Sequence, residues 1–125
     1  MNTTKSIRIV LADDHSIIRR GIKKILHSAP GFQVIGEAKD GDQALELVEE
    51  LSPDVLVLDL EMPNRDGFTV ARTLQDEQSP VRILVLSAHN NPIYREGMAQ
   101  LGVSAYLSKN EAPDKLLQAL RALVD

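Results

Sequence analysis

Five short apolar runs alternate with five amphipathic stretches along this chain, and that alternation limits its possible folds more than any other feature. The apolar runs have the length of β-strands and lie at residues 7–12, 33–38, 54–59, 81–87 and 103–107. The amphipathic stretches have the length of helices and lie at about 16–28, 42–51, 67–77, 92–100 and 113–124. Alternating strands and helices predict an α/β fold with right-handed crossovers between parallel strands.

Two of the runs, 55–58 and 83–86, are apolar at every position. A strand of this kind is expected where helices cover both faces of a parallel sheet. Asp40 followed by Gln43 resembles a capping box at the start of the second helix. At 125 residues the chain has the size of one domain. We therefore predict a single domain over residues 5–125 that contains a doubly wound, five-stranded parallel sheet.

The composition argues against several classes of function. There is no cysteine, so a disulfide, a thiolate metal site and a thiol nucleophile are excluded. The net charge is −4 and only 3% of residues are aromatic, whereas nucleic-acid surfaces are usually basic and carry stacking aromatics. No apolar stretch approaches the ~18 residues of a membrane span, and the N-terminus lacks a signal-peptide pattern. We expect a cytoplasmic protein that does not bind membranes.

One basic cluster stands out, formed by Arg19, Arg20, Lys23 and Lys24 within the first predicted helix. Clusters of this kind are usually the solvated face of a helix. The alternative is a docking face for an acidic partner.

Five polar side chains lie at the ends of four apolar runs, and they are Asp13, Asp14, Asp59, Ser87 and Lys109. The carboxyl ends of parallel strands meet at one edge of a sheet, where ligands bind. Neighbouring carboxylates about 4 Å apart repel by roughly 4 kcal/mol, so either a positive charge must offset the repulsion or one carboxylate must take up a proton. Lys109 supplies one charge, and Mg²⁺ supplies the rest because it is held by carboxylates and phosphate oxygens. The pattern predicts a site for a divalent cation and a phosphoryl group.

Each of these residues also has a plainer interpretation. Asp14 could cap the first helix while Asp13 is solvated. Asp59 could accept hydrogen bonds from loop amides, and Lys109 could lie in solvent. The joint placement at four separate strand ends favours the site.

Several separated motifs complete the pattern: Leu11-Ala12-Asp13-Asp14-His15, Leu58-Asp59-Leu60-Glu61-Met62-Pro63, Asp66-Gly67, Leu86-Ser87-Ala88 and Tyr106-Leu107-Ser108-Lys109. With these motifs the chain resembles the receiver domain of two-component response regulators over essentially its whole length. The Asp-Asp-His start and the Lys109-Asn110 ending resemble the NarL/LuxR class. This resemblance implies a flavodoxin-like (βα)5 fold with strand order 2-1-3-4-5.

The resemblance also implies a role for each residue at the strand ends. Asp59 would accept a phosphoryl group from the phosphohistidine of a sensor histidine kinase. Asp13, Asp14 and Asp59 would bind Mg²⁺ together with the backbone carbonyl of Glu61. Lys109 would pair with the phosphoryl oxygens.

Further roles implied by the resemblance concern the response to phosphorylation. Ser87 would move toward the phosphoryl group, and Tyr106 would turn inward with it. The fourth helix, fifth strand and fifth helix, about residues 88–124, would mediate homodimerisation or output. Glu61 and His89 would tune autodephosphorylation, so catalysis would be limited to the domain's own phosphotransfer and dephosphorylation.

The same resemblance indicates two kinds of partner. The first-helix face that includes Arg19, Arg20 and Lys23 would be part of the kinase docking surface. Regulators of the NarL/LuxR class usually continue into a helix-turn-helix domain, which is absent from this chain. DNA would be contacted only through such a domain, and the regulated process would be transcription.

Two positions depart from the common receiver pattern. Ala105 stands where a glycine often precedes the aromatic residue, and Asn110 stands where many receivers have proline. The peptide bond after the receiver lysine is often cis, and a non-prolyl cis bond costs ~2.5–4 kcal/mol. The sequence therefore leaves the geometry of the Lys109–Asn110 bond open.

Other functions compete with this interpretation. A phosphohydrolase of the haloacid dehalogenase type also uses an aspartate nucleophile, Mg²⁺, a hydroxyl and a lysine. Here, however, the acid pair precedes the nucleophile in sequence, and 125 residues leave no room for a cap domain. A phosphate-independent interaction module would not need all of these positions. A nucleotide-binding protein is disfavoured because neither glycine-rich nucleotide motif occurs.

Overall fold

The computed structural model describes residues 6–88 and 92–124. In this part of the chain the five strands are β1 (Ile7–Ala12), β2 (Phe32–Ala38), β3 (Val55–Asp59), β4 (Arg82–Ser87) and β5 (Ala105–Ser108). The helices are α1 (Ser16–His27), α2 (Gly41–Leu51), α3 (Gly67–Asp76), α4 (Pro92–Gln100) and α5 (Ala112–Val124). The strands form one parallel sheet in the order β2-β1-β3-β4-β5, which confirms the predicted fold.

The core occupies both faces of the sheet because successive strand residues point to opposite sides. Val57 and Leu84 belong to the core on the side of α1 and α5. Leu58 and Val85 belong to the core on the side of α2, α3 and α4. Every residue of β3 is buried, as its uninterrupted apolar sequence predicts.

The ends of some elements differ from the predicted ones. β5 begins at Ala105, two residues later than expected, because Gly102 turns the chain with a φ of 80° and the Val103 amide still donates to the Met98 carbonyl. α5 begins at Ala112, so Pro113 is its second residue. In α2, Asp40 accepts from the Gln43 amide as predicted, at 2.8 Å.

The strand order reverses between β1 and β3, which are neighbours in space with β2 and β4 on their outer sides. This places the crevice of the fold over the residues that follow β1 and end β3. We call the side of the sheet where the strands end the carboxyl edge, and the side where they begin the amino edge. None of the helices in residues 6–88 and 92–124 is long and apolar enough to cross a membrane.

Candidate functional site

Asp13 and Asp59 are buried at the carboxyl edge, with side chains almost closed to solvent. Asp13 follows β1, where its amide donates to the Ala38 carbonyl at 3.0 Å and thereby extends the pairing with β2. Asp59 is the last residue of β3 and pairs in register with Leu86 of β4. Both carboxylates therefore emerge from central strands whose backbones are fixed by the sheet.

Lys109 joins these two carboxylates. Its Nζ lies 3.1 Å from Oδ2 of Asp13 and 3.4 Å from Oδ2 of Asp59. Within the described residues, neither Oδ2 atom makes a contact that meets the geometry of a hydrogen bond. The ammonium thus balances charge at ion-pair distance but leaves acceptor capacity unfilled on both buried oxygens.

The environment of Asp59 disfavours its ionised form. Burial, and after it the negative charge of Asp13, raise the pKa of Asp59 from 3.8 to about 6. Lys109 and the Glu61 amide, which donates to Oδ1 at 3.3 Å, act in the opposite direction without cancelling the effect of burial on the pKa. A second positive charge at this point would lower the free energy of the carboxylate form.

Asp14 and His15 complete the group at the mouth of the crevice. The Nδ1 atom of His15 lies 3.1 Å from Oδ1 of Asp14 and 3.3 Å from Oδ1 of Asp13. One potential ligand atom from each of Asp13, Asp14, His15 and Asp59 lies within 4.8 Å of the other three. Carboxylate oxygens are the donor type that Mg²⁺ requires, and the buried Oδ2 atoms of Asp13 and Asp59 have unused acceptor capacity, so Asp13, Asp14 and Asp59 fit the ion.

The interpretation of Asp14 as a helix cap and Asp13 as a solvated residue is wrong. His15 is the N-cap residue of α1, and it makes no side-chain capping bond. Asp13 is the buried member of the pair because its Oδ1 accepts the His15 amide at 2.9 Å, which turns the side chain inward. Asp14 is left on the solvent side.

Ser87 and Tyr106 lie near this group on β4 and β5. Ser87 ends β4 in register with Ser108 and is buried, and its carbonyl accepts the Lys109 amide at 2.8 Å. Tyr106 is also buried in this structure. The Arg95 guanidinium lies 4.7 Å from the centre of the Tyr106 ring and donates to the Tyr106 carbonyl at 2.9 Å, so α4 and β5 are joined at this residue.

Glu61 lies on the exposed rim, and its backbone is held next to Asp59. A cleft of about 570 Å³ opens beside it, bordered by Asp14 and by the aromatic rings of Phe68 and Tyr94. His89 lies outside the described residues. No peptide bond in the described ranges is cis, and the Lys109–Asn110 bond is accordingly trans.

The basic face of α1 is less free than its sequence indicates. Arg19 is mostly buried, and its guanidinium donates to the Asp13 carbonyl at 2.7 Å and to Glu37 at 3.3 Å. Lys23 pairs with Glu37 at 2.9 Å, and these two cations lower the pKa of Glu37. Arg20 is exposed. Arg19 therefore braces the acidic loop, a role that its place in a charged run did not indicate.

The loop after Asp59 is anchored to α2, and the sequence reasoning missed this anchor. Asn64 donates to Asp40 at 2.8 Å, and Arg65 forms an ion pair with Asp42. A Cβ atom on Gly41 would lie 2.1 Å from the Arg65 carbonyl oxygen, so only glycine fits there. The available signal was the repeated Asp-Gly pair, since Asp66-Gly67 opens α3 as Asp40-Gly41 opens α2.

Comparison with known proteins agrees with this geometry. The response regulator receiver domain family matches residues 9–121, and the chain belongs to this family. Members of the family are signalling proteins rather than conventional enzymes. The alternatives of a phosphohydrolase and of a nucleotide-binding protein are thereby disfavoured.

Relatives and solved structures place the chain in the NarL/LuxR class. It is 38% identical to the transcriptional regulatory protein DegU of Brevibacillus brevis over 117 residues, which are 94% of this chain and 50% of that protein. The signal receiver domain of the putative response regulator NarL from Mycobacterium tuberculosis matches with a TM-score of 0.90 and 35% identity, over 94% of this chain and 95% of that one.

A third match is the isolated REC domain of RcsB from Salmonella enterica serovar Typhimurium, determined in the presence of phosphomimetic BeF3-. Its TM-score is 0.88 at 31% identity, and the match covers 95% of this chain and 88% of that one. The chain spans about half the length of the curated relatives it matches.

Proposed function

We propose that this domain is a cytoplasmic, phosphorylation-dependent switch in which Asp59 is the phosphoryl acceptor. The carrying observation is the buried Oδ2 atom of Asp59, which ends a central strand beside Lys109 and has unused acceptor capacity. A sensor histidine kinase supplies the group. A P–O bond forms on Asp59 while the P–N bond to the kinase histidine breaks.

The surrounding residues divide the work of holding charge. Asp13, Asp14 and Asp59 would hold Mg²⁺ together with the backbone carbonyl of Glu61, and the ion would supply positive charge against the phosphoryl oxygens. Lys109 then exchanges part of its ion pairing with the carboxylates for pairing with the phosphoryl group. The support for this division is the Nζ position, within 3.4 Å of both buried carboxylates.

The switch follows from what phosphorylation adds to the site. A phosphoryl group brings nearly two negative charges and strong hydrogen-bond acceptors. Ser87 and Lys109 are the residues that bind its oxygens. These two contacts supply about 2–4 kcal/mol. Complete inversion from 1:99 to 99:1 needs about 5.5 kcal/mol, so the domain alone shifts its population in part and dimerisation supplies the remainder.

The output surface is formed by α4, β5 and α5, and it mediates homodimerisation or contact with an output domain. Tyr106 and Arg95 connect the site to this surface because they tie β5 to α4. Control of transcription requires a DNA-binding domain outside this chain, in keeping with relatives described as transcriptional regulatory proteins. Glu61 and His89 set the rate of autodephosphorylation.

The kinase docks on the face of α1 that includes Arg19, Arg20 and Lys23. Arg20 is the exposed cation of the three and makes the direct contact with an acidic partner. Arg19 and Lys23, which are paired with Glu37, fix the orientation of that face.

Intact-mass measurement after incubation with acetyl phosphate and Mg²⁺ tests the acceptor. The wild-type chain is expected to gain one phosphoryl group, and Asp59→Asn is expected to gain none. Asp66→Asn is the matched control, since Asp66 borders the same cleft and asparagine preserves its capping of α3. An equal gain of mass by Asp59→Asn and wild type would refute the assignment.

A further inference from the structure

His15 is the member of the carboxyl-edge cluster to which the switch mechanism gives no task. It is the N-cap residue of α1, yet its side chain makes no capping bond. Its imidazole instead turns back, so that Nδ1 lies 3.1 Å from Oδ1 of Asp14 and 3.3 Å from Oδ1 of Asp13. The ring is 60% exposed, and the short contacts with the two carboxylates therefore do not result from packing.

This position makes the imidazole nitrogen part of the same ligand shell as the carboxylates. The four candidate ligand atoms lie within 4.8 Å of one another. Opposite ligands of a six-coordinate ion with bonds of ~2.1 Å are about 4.2 Å apart, so a contraction of a few tenths of an ångström closes the shell. His15 can make this adjustment because its ring is on the solvent side.

An independent observation shows that the buried half of the shell has unused capacity. The Oδ2 atoms of Asp13 and Asp59 belong to side chains that are 2% and 4% exposed, and within the described residues neither makes a hydrogen bond. Lys109 lies at ion-pair distance from both atoms, 3.1 Å from Oδ2 of Asp13 and 3.4 Å from Oδ2 of Asp59. The cluster can thus accept a cation from the side on which His15 stands.

The presence of nitrogen changes which cations such a shell prefers. Mg²⁺ takes oxygen ligands, whereas imidazole suits nickel, zinc and other late first-row ions. Affinity for a mixed nitrogen and oxygen site rises from manganese toward nickel and copper. We infer that His15 is a metal ligand that allows this site to bind divalent first-row transition ions more tightly than Mg²⁺, an inference that rests on the proposed metal site.

The affinity test compares Ni²⁺ and Mg²⁺ by calorimetric titration of the wild-type chain and two variants. His15→Gln removes the imidazole, and His27→Gln is the matched control because His27 is exposed at the other end of α1. In His15→Gln the Ni²⁺ affinity is expected to fall roughly tenfold or more, while the Mg²⁺ affinity is unchanged. In His27→Gln both affinities are expected to equal those of the wild type.

A spectroscopic readout reports the bond itself. With Mn²⁺ bound, electron spin echo modulation is expected to show an imidazole nitrogen in the wild type, a change of isotope pattern after ¹⁵N-histidine labelling, and no such signal in His15→Gln. Absence of the nitrogen signal in the wild type would overturn the inference, and so would an equal loss of Ni²⁺ and Mg²⁺ affinity in His15→Gln.

The outcomes also separate this inference from the proposed function. If Mg²⁺ binds and His15→Gln leaves Ni²⁺ affinity unchanged, the role of His15 fails while the proposed switch stands. If neither ion binds the wild-type chain, the metal site itself is wrong, and the role of His15 fails with it.

Discussion

At the amino edge of the sheet the Arg8 guanidinium donates to the carbonyls of Leu51 and Ser52, both at 2.8 Å, whereas at the carboxyl edge the buried carboxylates of Asp13 and Asp59 share the Lys109 ammonium. The amino-edge contacts are hydrogen bonds of good geometry. At the carboxyl edge, acceptor capacity stays unused on both Oδ2 atoms within the described residues. The amino-edge contacts join β1 to the end of α2. The carboxyl edge retains acceptor atoms at the place where we propose that a ligand binds.

The contacts at the amino edge stabilise the fold, because they join β1 to the C-terminal end of α2. The Arg8 side chain satisfies carbonyls at the C-terminal end of α2, where no intrahelical donor remains. The Asp54 carboxylate accepts the Arg8 amide at 2.8 Å. These groups contact backbone atoms of the same domain. The comparison shows that, in the described part of the chain, the buried carboxylate oxygens without a hydrogen bond lie at the carboxyl edge, where we propose that phosphoryl transfer takes place.

The largest expected effect concerns the rigid part of the carboxyl edge. Gly41→Ala would place a methyl group 2.1 Å from the Arg65 carbonyl oxygen. Relief of this clash would require α2 and the loop after β3 to move apart. We expect a loss of about 3 kcal/mol in the free energy of unfolding, measured by urea denaturation. Gly21→Ala is the control, because nothing lies within 4 Å of its added Cβ and alanine favours helix, so stability should rise.

Neutralising Asp59, the proposed phosphoryl acceptor, should raise the free energy of unfolding, and the size of this effect should depend on pH. The pKa of Asp59 is raised from 3.8 to about 6, so the folded state holds this proton more tightly than the unfolded chain. Its contribution to wild-type stability is complete below about pH 4 and falls as the pH rises to about 6. Asparagine does not ionise, so Asp59→Asn should not lose stability as the pH rises through this range.

We therefore expect Asp59→Asn without Mg²⁺ to be more stable than the wild type by about 2–3 kcal/mol at pH 7.5, with the difference decreasing toward pH 4. Denaturation midpoints across this pH range provide the measurement. A variant less stable than the wild type at pH 7.5 would contradict the claim that the ionised Asp59 side chain destabilises the folded domain.

The amino edge should respond in the reverse direction. Arg8→Leu removes the hydrogen bonds to the Leu51 and Ser52 carbonyls, and we expect a loss of about 1–2 kcal/mol because the site is only part-buried. The loss should be the same at pH 5 and pH 8, because both acceptors are backbone carbonyls, which do not titrate. Arg82→Leu, at an exposed position of the same edge, should change the free energy of unfolding by less than about 0.5 kcal/mol.

The smallest effect separates two neighbouring arginines of α1. Arg19→Met breaks the contact with the Asp13 carbonyl and the pair with Glu37, so we expect a loss of about 1 kcal/mol and slower phosphorylation by acetyl phosphate. Arg20→Met should leave both quantities unchanged and slow only the transfer from a kinase. Identical behaviour of the two variants would remove the distinction between a bracing and a docking residue.

The sequence predicted the sheet and the main site residues for a physical reason. A parallel sheet buried on both faces needs uninterrupted apolar strands, and β3 and the buried part of β4 have them. Parallel strands also end at a common edge, so the residues that follow them converge without further information. Asp59, Ser87 and Lys109 were predictable in this way, and their roles in phosphoryl transfer stay predictions.

The sequence did not reveal which polar group serves which contact. Arg19 and Arg20 are adjacent and chemically identical, yet only Arg19 lies on the side of α1 that faces the Asp13 carbonyl. Asp13 and Asp14 are likewise adjacent, and the His15 amide decides which of them turns inward. The first difference depends on which side of α1 faces the loop, and the second depends on one hydrogen bond within that loop. Neither feature produces a periodic pattern in the sequence.

By itself the sequence determined the family, the order of strands and helices, and the convergence of carboxylates at one edge, because apolar periodicity and strand ends are local properties of the chain. Only the tertiary structure decided that Asp59 carries a raised pKa, that Gly41 contacts Arg65, and that His15 faces the carboxylates. Burial, close approach and the direction of a side chain depend on residues distant in sequence, and these become neighbours only when the sheet and its helices are assembled.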